Sequence, residues 1–186
     1  MGHKSNQELA QRVASLETPR HKWPRWIVSG GGPGFLRPAP GSWGTAAPAA
    51  VMWIMMACGA RQIAWTIVLL TIGAAASVLL VIFGKWAAAY YHEPDPGTVI
   101  LDEYAGFAIT VLLVPVPAWC AAHGTFGAFV YVAGLYILFR ATDTLKLPPA
   151  NWLERLPWGW GVLCDDLAAG VQANVIAQLI VRLLVR

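Results

Sequence analysis

The sequence predicts an all-α fold: a polytopic helical membrane bundle of about four spanning helices, plus a C-terminal helix that is interfacial or only partly spanning. The first observation is composition, because 57% of the 186 residues are hydrophobic and only 12% are charged. Soluble domains carry about 25% charged residues, so this chain has too little polar surface to cover a globule in water. The second observation is a series of apolar runs, and the third is the clustering of charge between them.

Residues 1–25 form a polar and basic segment that precedes a single membrane-embedded domain over 26–186. Basic residues concentrate early in the chain, at Lys4, Arg12, Arg20, Lys22, Arg25 and Arg37. Such a cluster is compatible with nucleic acid, but Trp23 and Trp26 lie within it. Tryptophan beside Lys and Arg next to an apolar segment is typical of a membrane interface. The segment is therefore predicted to anchor the chain at a membrane, with no nucleic-acid partner.

The glycine- and proline-rich stretch 29–44 is predicted to be irregular. Apolar runs follow at 45–60, 62–84, 104–122, 124–139 and 167–185. The run 62–84 contains no charge, and at about 1.5 Å per helical residue it is long enough to cross a hydrocarbon core of about 30 Å. Pro115 and Pro117 interrupt the third run. Arg182 lies in the last run, which is why that helix is predicted to be interfacial or partly spanning.

The basic residues also orient the predicted bundle. Cytoplasmic loops are enriched in Lys and Arg, so the basic N-terminus is placed in the cytoplasm. Two crossings then return the chain at Lys85, and two more return it at Arg140. The loops 85–103 and 140–166 consequently face the cytoplasm together, and they hold eight of the ten acidic residues.

Three acidic groups lie at the ends of apolar runs, namely Asp102-Glu103, Asp143 and Asp165-Asp166. Each has a structural explanation of its own, since acids cap helix N-termini and Asp143 can pair with Arg140 one helical turn earlier. Adjacent carboxylates repel each other, however, and a cap needs only one. Such acids at one membrane surface of a charge-poor chain therefore predict a cation site. Ligands that are all oxygen suit Mg²⁺, Mn²⁺ or Ca²⁺.

Groups able to contact phosphate accompany these acids. Arg140 and Lys146 stand three residues on either side of Asp143, and Arg is suited to a bidentate contact with phosphate oxygens. A glycine-rich loop that leads into the first apolar run has backbone N–H groups able to cradle phosphate. Its candidate residues are Gly41, Ser42 and Thr45. A plain interfacial turn has the same composition, so this loop alone decides nothing.

The residues that other phosphate-transfer chemistries require are missing from this sequence. No cysteine is followed six positions later by arginine, no Asp-x-Asp occurs, and the repeated-aspartate signature of the CDP-alcohol phosphotransferases is missing. Metal-assisted attack by water remains. A membrane phosphotransferase with an alcohol acceptor stays open, as does a divalent-cation transporter. A transporter should carry carboxylates mid-span, however, and the run 62–84 has none.

Three blocks, at 40–45, 95–106 and 139–170, together resemble the phosphatidylglycerophosphatase A family over roughly residues 26–178. The resemblance implies an all-helical, magnesium-dependent lipid phosphatase of the bacterial inner membrane. Its reaction would convert phosphatidylglycerophosphate to phosphatidylglycerol and inorganic phosphate. By matching positions, the acidic site would consist of Asp102, Glu103, Asp143, Asp165 and Asp166. The family's basic pair would be Arg140 and Lys146.

From this resemblance we expect a division of roles. Asp102, Asp143 and Asp166 would be the Mg²⁺ ligands, and Glu103 or Asp165 would be the base that orients water. Arg140 and Lys146 would offset charge on the phosphoryl group, and Gly41, Ser42 and Thr45 would help to bind substrate. The lipid tail would stay in the bilayer while the site faces the cytoplasm. The oligomeric state is left open, a homo-oligomer included.

Overall fold

The computed structural model describes residues 11–146, 148, 153, 156 and 159–184. The predictions for residues 1–10, and the continuation of the third block at Pro149, lie outside these residues. Within them every regular element is helical, as the sequence predicts. The helices are α1 (Pro24–Val28), α2 (Pro40–Ala57), α3 (Gln62–Tyr91), α4 (Leu101–Thr110), α5 (Ala118–Ala122), α6 (Gly124–Leu145) and α7 (Gly159–Leu184), with a 3-10 turn at Pro33–Phe35.

The short helix α4 lies at the centre of the bundle. It packs chiefly against α7 and α3, and also against α2. Phe107 on α4 is fully buried and meets the buried ring of Phe139 on α6 edge to face, with ring centroids 6.4 Å apart. The longer helices therefore surround α4, and side chains in its first turn are placed inside the protein.

Two of the described helices, α3 and α6, are long and apolar enough to cross a membrane. The predicted number of about four spans is thus not confirmed. Both helices expose large apolar side chains, including Ile67 and Ile82 on α3 and Phe126 and Ile137 on α6. Apolar surface of this extent in a protein with few charges is expected to face lipid rather than water.

The third apolar run, 104–122, is not one continuous helix. Helix α4 ends at Thr110, and regular structure resumes only with the five-residue helix α5. Pro115 and Pro117 explain the break, because proline lacks the N–H that a helix needs and disfavours helical backbone before it. The break leaves backbone carbonyls without helical partners in the interior.

Polar side chains from neighbouring helices bond those carbonyls. The Asn174 amide on α7 donates to the carbonyls of Ile109, Thr110 and Leu112 at 3.1, 2.9 and 2.6 Å. Gln62, at the start of α3, donates to the Val114 carbonyl at 2.9 Å. Irregular backbone is tolerated at membrane depth when protein groups satisfy it in this way.

The stretch 29–44 is only partly irregular, because α2 begins at Pro40. Proline is compatible with the first helical position, where its missing N–H would be unpaired in any case. Gly44 then lies within the helix and so close to Ile100 that a β-carbon there would collide with the Ile100 side chain. The prediction of an irregular segment up to residue 44 was wrong at its end, and the candidate phosphate loop is a helix N-terminus.

Candidate active site

The first turn of α4 supplies two buried carboxylates. Asp102 and Glu103 are 6% and 8% exposed, although Asp and Glu are rarely buried. Their position at a helix N-terminus is favourable for negative charge. The Asp102 Oδ1 accepts a hydrogen bond from the backbone N–H of Glu103 at 3.0 Å. As successive residues on a helix they project in different directions, and their surroundings differ accordingly.

Glu103 is held by an arginine from α6. The Arg140 Nη1 lies 2.6 Å from each Glu103 carboxylate oxygen and 2.9 Å from Asp143 Oδ2. The pairing of Arg140 with Asp143 that the sequence suggests is therefore present, but Glu103 shares the same guanidinium. One cation thus links carboxylates from α4 and α6.

The start of α2 holds Glu103 from a third side. The Thr45 hydroxyl donates to Glu103 Oε2 at 2.8 Å, and the Gly41 carbonyl, 3.1 Å away, is its alternative acceptor. A β-carbon at Gly41 would collide with Glu103 Oε1 and crowd the Arg140 guanidinium. Ser42 takes part through its carbonyl, which accepts a hydrogen bond from the Tyr136 hydroxyl at 3.2 Å. Glycine at position 41 is therefore what lets the carboxylate approach the helix.

Helix α7 supplies Asp165 and Asp166, both buried. Because α7 begins at Gly159, these acids lie beyond its first turn, and helix capping does not explain them. Lys146, directly after α6, pairs with Asp165 at 2.7 Å from Nζ to Oδ2. The Oδ2 atom of Asp166 is buried with no hydrogen-bond partner. Buried polar atoms without partners are rare in proteins and call for an unseen water or ion.

Two glycines bring the acids of α4 and α7 together. A β-carbon at Gly170 would collide with the Gly106 carbonyl, and one at Gly106 would collide with the Phe139 ring and the Asp166 carbonyl. The two helices therefore approach closely at this point. Asp102 precedes Gly106 by four residues, and Asp166 precedes Gly170 by four. Each acid thus lies one helical turn from the crossing, on the same side of it.

Burial and mutual repulsion perturb these acids. Burial raises the pKa of Asp102 well above its usual range, and the charge of Glu103 raises it further. Burial likewise raises the pKa of Asp166 strongly, with Asp102 as the largest charged contributor. Burial raises the pKa of Glu103 to about 7, against the opposing effect of Arg140. The carboxylates lie close enough for each to disfavour ionisation of the next.

These residues suit Mg²⁺, which proteins commonly hold by only one or two carboxylates, better than a metal whose ligands all come from the protein. Among the residues described, no three His, Cys, Asp or Glu side chains form a ready-made ligand set. Mg²⁺ needs no such set, since it commonly binds one or two carboxylates and completes its shell with water and substrate phosphate. In the described part of the chain no basic side chain pairs with Asp102 or Asp166. Together with the unpartnered Asp166 oxygen, this makes the two acids the available donors.

The predicted site residues converge from distant parts of the chain. Direct contacts join Gly41, Thr45, Glu103, Arg140 and Asp143. Lys146 contacts Asp165, and the charges of Asp102, Glu103, Asp143 and Asp165 all act on Asp166. Helices α2, α4 and α7 meet here near their N-terminal ends, and α6 meets them near its C-terminal end.

Three contributors were not predicted as site residues. Asp95, in the segment before α4, acts on the pKa of Asp102 as a further negative charge. Gly106 and Gly170 set the distance between α4 and α7. A signal for the glycines exists in the sequence, because each follows a predicted acid by one helical turn. Asp95 opens the second block of the family resemblance, 95–106, but its spacing gives no comparable signal.

Comparisons with known proteins identify the family of this chain. The family model described as phosphatidylglycerophosphatase A matches residues 26–181. A Bacteroides thetaiotaomicron protein named putative phosphatidylinositol-3-phosphatase is 33% identical over 82% of this chain and 90% of its own length. Proteins named phosphatidylglycerophosphatase A from Haemophilus influenzae and Escherichia coli are 26% and 27% identical, over 87% and 89% of this chain and 88% and 86% of their own. No solved structure matches the chain.

Proposed function

The chain belongs to the phosphatidylglycerophosphatase A family, and we propose that it is a magnesium-dependent enzyme that hydrolyses the terminal phosphomonoester of phosphatidylglycerophosphate. The products are phosphatidylglycerol and inorganic phosphate. Family membership and the names of relatives support the lipid phosphatase class. The observation that supports the metal requirement is the buried Asp166 oxygen, which has no hydrogen-bond partner in a residue on which several neighbouring carboxylate charges act.

Asp102 and Asp166 would hold the Mg²⁺ ion, with Asp143 within electrostatic reach of both. When bound, the ion would polarise a phosphoryl oxygen and neutralise part of its charge. Arg140 is only half-buried, so its free N–H groups can bind substrate phosphate oxygens and stabilise charge that develops there. Lys146 offers a second cation at the rim, beside Asp165.

Glu103 is the better candidate for the base that orients the attacking water. Its pKa of about 7 allows it to accept a proton near neutral pH. Thr45 and Arg140 fix its carboxylate from two sides, and Gly41 leaves room for it. Asp165, the alternative, is held by Lys146. Gly41 and Thr45 would therefore act mainly by placing Glu103, and Ser42 by its contact with Tyr136 on α6. All three lie at the positive end of the α2 dipole.

We further propose that the protein lies in the bacterial inner membrane with this site at the cytoplasmic face. Its spans would be 45–60, 62–84, 104–122 and 124–139, with 104–122 crossing as a broken helix and 167–185 crossing in part. The carboxylates would then lie just outside the hydrocarbon region, where phospholipid headgroups are. Exposed Trp23 and Trp26 beside Arg25 support an interfacial position for the N-terminal segment.

Phosphate release from defined lipids by the purified protein tests the proposal. Release should occur in water without an alcohol acceptor, stop with EDTA and return with Mg²⁺. Asp102→Asn and Asp166→Asn should each abolish it, while Glu17→Gln, a change at an exposed acid, should not. Release that requires an alcohol would indicate a phosphotransferase. Metal uptake into vesicles without any phosphate release would indicate a transporter.

A second substrate deserves the same assay because the relative from B. thetaiotaomicron is named a putative phosphatidylinositol-3-phosphatase. Phosphatidylinositol 3-phosphate also presents a phosphomonoester on a membrane lipid, so the same carboxylates and Arg140 could act on it. Comparison of kcat/KM for the two lipids in the same micelles decides between them.

A further inference from the structure

A polar cavity lies between the 3-10 turn with the start of α2 on one side and the end of α3 with the segment after it on the other. It encloses about 530 Å³, and its lining comes from within residues 34–40 and 91–98. The two sides are packed directly together at Gly34, where a β-carbon would collide with the Thr98 carbonyl. The cavity is therefore a built part of the fold and not a gap between loose loops.

The cavity adjoins the proposed catalytic carboxylates on both of its sides. Pro40 lines it, and the next residue is the glycine at which a β-carbon would collide with Glu103 Oε1. Consecutive Cα atoms are about 3.8 Å apart, so this proximity holds whatever directions the two side chains take. On the other side Pro96 lines the cavity, and the preceding Asp95 is near enough for its charge to act on Asp102. Two independent connections thus place the cavity beside the site.

The cavity also adjoins the aromatic surface that is proposed to lie at the membrane. Phe35 lines the cavity, and its ring meets the Trp26 ring edge to face with centroids 5.1 Å apart. Phe35, Leu36 and Trp26 are all exposed, and tryptophan is enriched at the membrane–water interface. A group bound in the cavity would therefore lie between the catalytic acids and the lipid surface.

Two opposite charges line the cavity without neutralising each other. Arg37 and Glu93 both belong to the lining, and both are exposed. In the part of the chain that the structure describes, neither of them forms an ion pair. A guanidinium suits the oxygens of a phosphate group, and a carboxylate accepts a hydrogen bond from a hydroxyl. The lining therefore suits a ligand that carries an anionic phosphate and a hydroxyl side by side.

We propose that this cavity binds the inner part of the substrate headgroup, with its phosphodiester at Arg37 and its glycerol hydroxyl at Glu93, while the terminal phosphate is at Arg140. The proposal rests on the lipid phosphatase function above and adds which residues recognise the headgroup. Phosphatidylglycerophosphate has two phosphates joined by glycerol, and the site described above accounts only for the phosphate that is removed. The cavity supplies a cation for the other phosphate, between that site and the membrane surface.

Arg37→Gln removes the cation from the cavity and leaves the catalytic residues in place. Arg20→Gln is the matched control, because it removes an exposed positive charge of the N-terminal segment that does not line the cavity. For both variants and wild type, kcat and KM are measured with short-chain phosphatidylglycerophosphate in detergent micelles. Competitive inhibition by the two products reports the two parts of the site separately. Phosphatidylglycerol carries only the inner phosphodiester, whereas inorganic phosphate resembles only the group that is removed.

Arg37→Gln should raise both KM and the inhibition constant of phosphatidylglycerol about tenfold, the effect of one lost charge-assisted hydrogen bond. It should leave kcat unchanged, because the lost contact is equally present in the ground state and the transition state. The inhibition constant of inorganic phosphate should also stay the same, since phosphate binds outside the cavity. Arg20→Gln should change none of these values.

An unchanged KM or an unchanged inhibition constant of phosphatidylglycerol with Arg37→Gln would overturn the proposal. An equal rise with Arg20→Gln would also overturn it, by showing a general attraction of anionic lipid to the basic segment. A lower kcat or weaker inhibition by inorganic phosphate would do the same, because Arg37 would then act at the catalytic centre. Failure of the wild-type protein to hydrolyse phosphatidylglycerophosphate would instead overturn the proposed function.

Discussion

The Asp166→Asn variant tests whether Asp166 is a metal ligand or a structural residue. The Asp166 Oδ2 atom is buried without a hydrogen-bond partner, and the charges of neighbouring carboxylates act on Asp166. A buried polar group left unsatisfied costs about 1–3 kcal/mol. Burial and the neighbouring carboxylates disfavour the charged form of Asp166, whereas asparagine is uncharged and presents an N–H₂ donor to those acids. The metal-free variant should therefore be at least as stable as wild type, with a gain of up to about that amount.

Magnesium should reverse the order of stability. A ligand present at about 100 times its Kd stabilises the folded state by about 2.7 kcal/mol. For a chain of this size about 1 kcal/mol corresponds to 2–4 °C in Tm, so wild type should gain about 5–11 °C in saturating Mg²⁺. Asp166→Asn should lose this gain together with phosphate release.

Thermal unfolding in detergent micelles, with EDTA and with Mg²⁺, measures both effects. Glu17→Gln removes an exposed acid away from the site and should keep the full Mg²⁺ response. The reasoning fails if Asp166→Asn unfolds at a lower temperature than wild type in EDTA and still responds to Mg²⁺. That pattern would make Asp166 a structural residue.

Three further predictions concern Glu103 and its partners. Gly41→Ala places a methyl group against the Glu103 carboxylate and should lower kcat at least tenfold. Gly97→Ala, whose added methyl group meets no atom within 4 Å, should leave kcat unchanged. Equal activity of the two variants would contradict the role of Gly41. Arg140→Met leaves Glu103 and Asp143 without their cation and should lower the free energy of unfolding by about 3–5 kcal/mol, as measured with denaturant at neutral pH. Full recovery of stability at a pH low enough to protonate the two acids would support this cause, and no recovery would refute it. Because burial raises the Glu103 pKa to about 7, this group is protonated below that pH and ionised above it. The kcat should therefore rise with pH through about 7, and Mg²⁺ binding, followed by calorimetry, should tighten over the same range. A kcat that does not change across this range would exclude Glu103 as the base.

Much of the bundle was predictable from local patterns. The charge-free run 62–84 lies within α3, and 124–139 lies within α6, because long apolar runs without proline satisfy their backbone only as helices. The acids were recognisable as a group because ionised residues are scarce in this chain. Their number exceeded what helix capping requires, and that excess predicted convergence before any contact was known.

Hydropathy failed where backbone geometry depends on contacts with other helices. It joined 104–122 into one run, but Pro115 and Pro117 break the helix, and the break survives because Asn174 and Gln62 bond the freed carbonyls. Glycine and proline content also extended the predicted irregular segment to residue 44, since both residues usually break helices. Pro40 instead begins α2, and the packing of Gly44 on Ile100 holds that helix start in place.

The sequence by itself determined that the chain is helical, apolar on its surface and supplied with several clustered acids, because these properties follow from composition and spacing. It did not decide which acids pair with a basic side chain and which do not. Only the tertiary structure did so, by placing Arg140 against Glu103 and Asp143, Lys146 against Asp165, and the Gly106–Gly170 crossing beside Asp102 and Asp166. The physical reason is that the ionisation of a buried carboxylate depends on burial and on charges a few ångströms away, and those neighbours come from helices far apart in the chain.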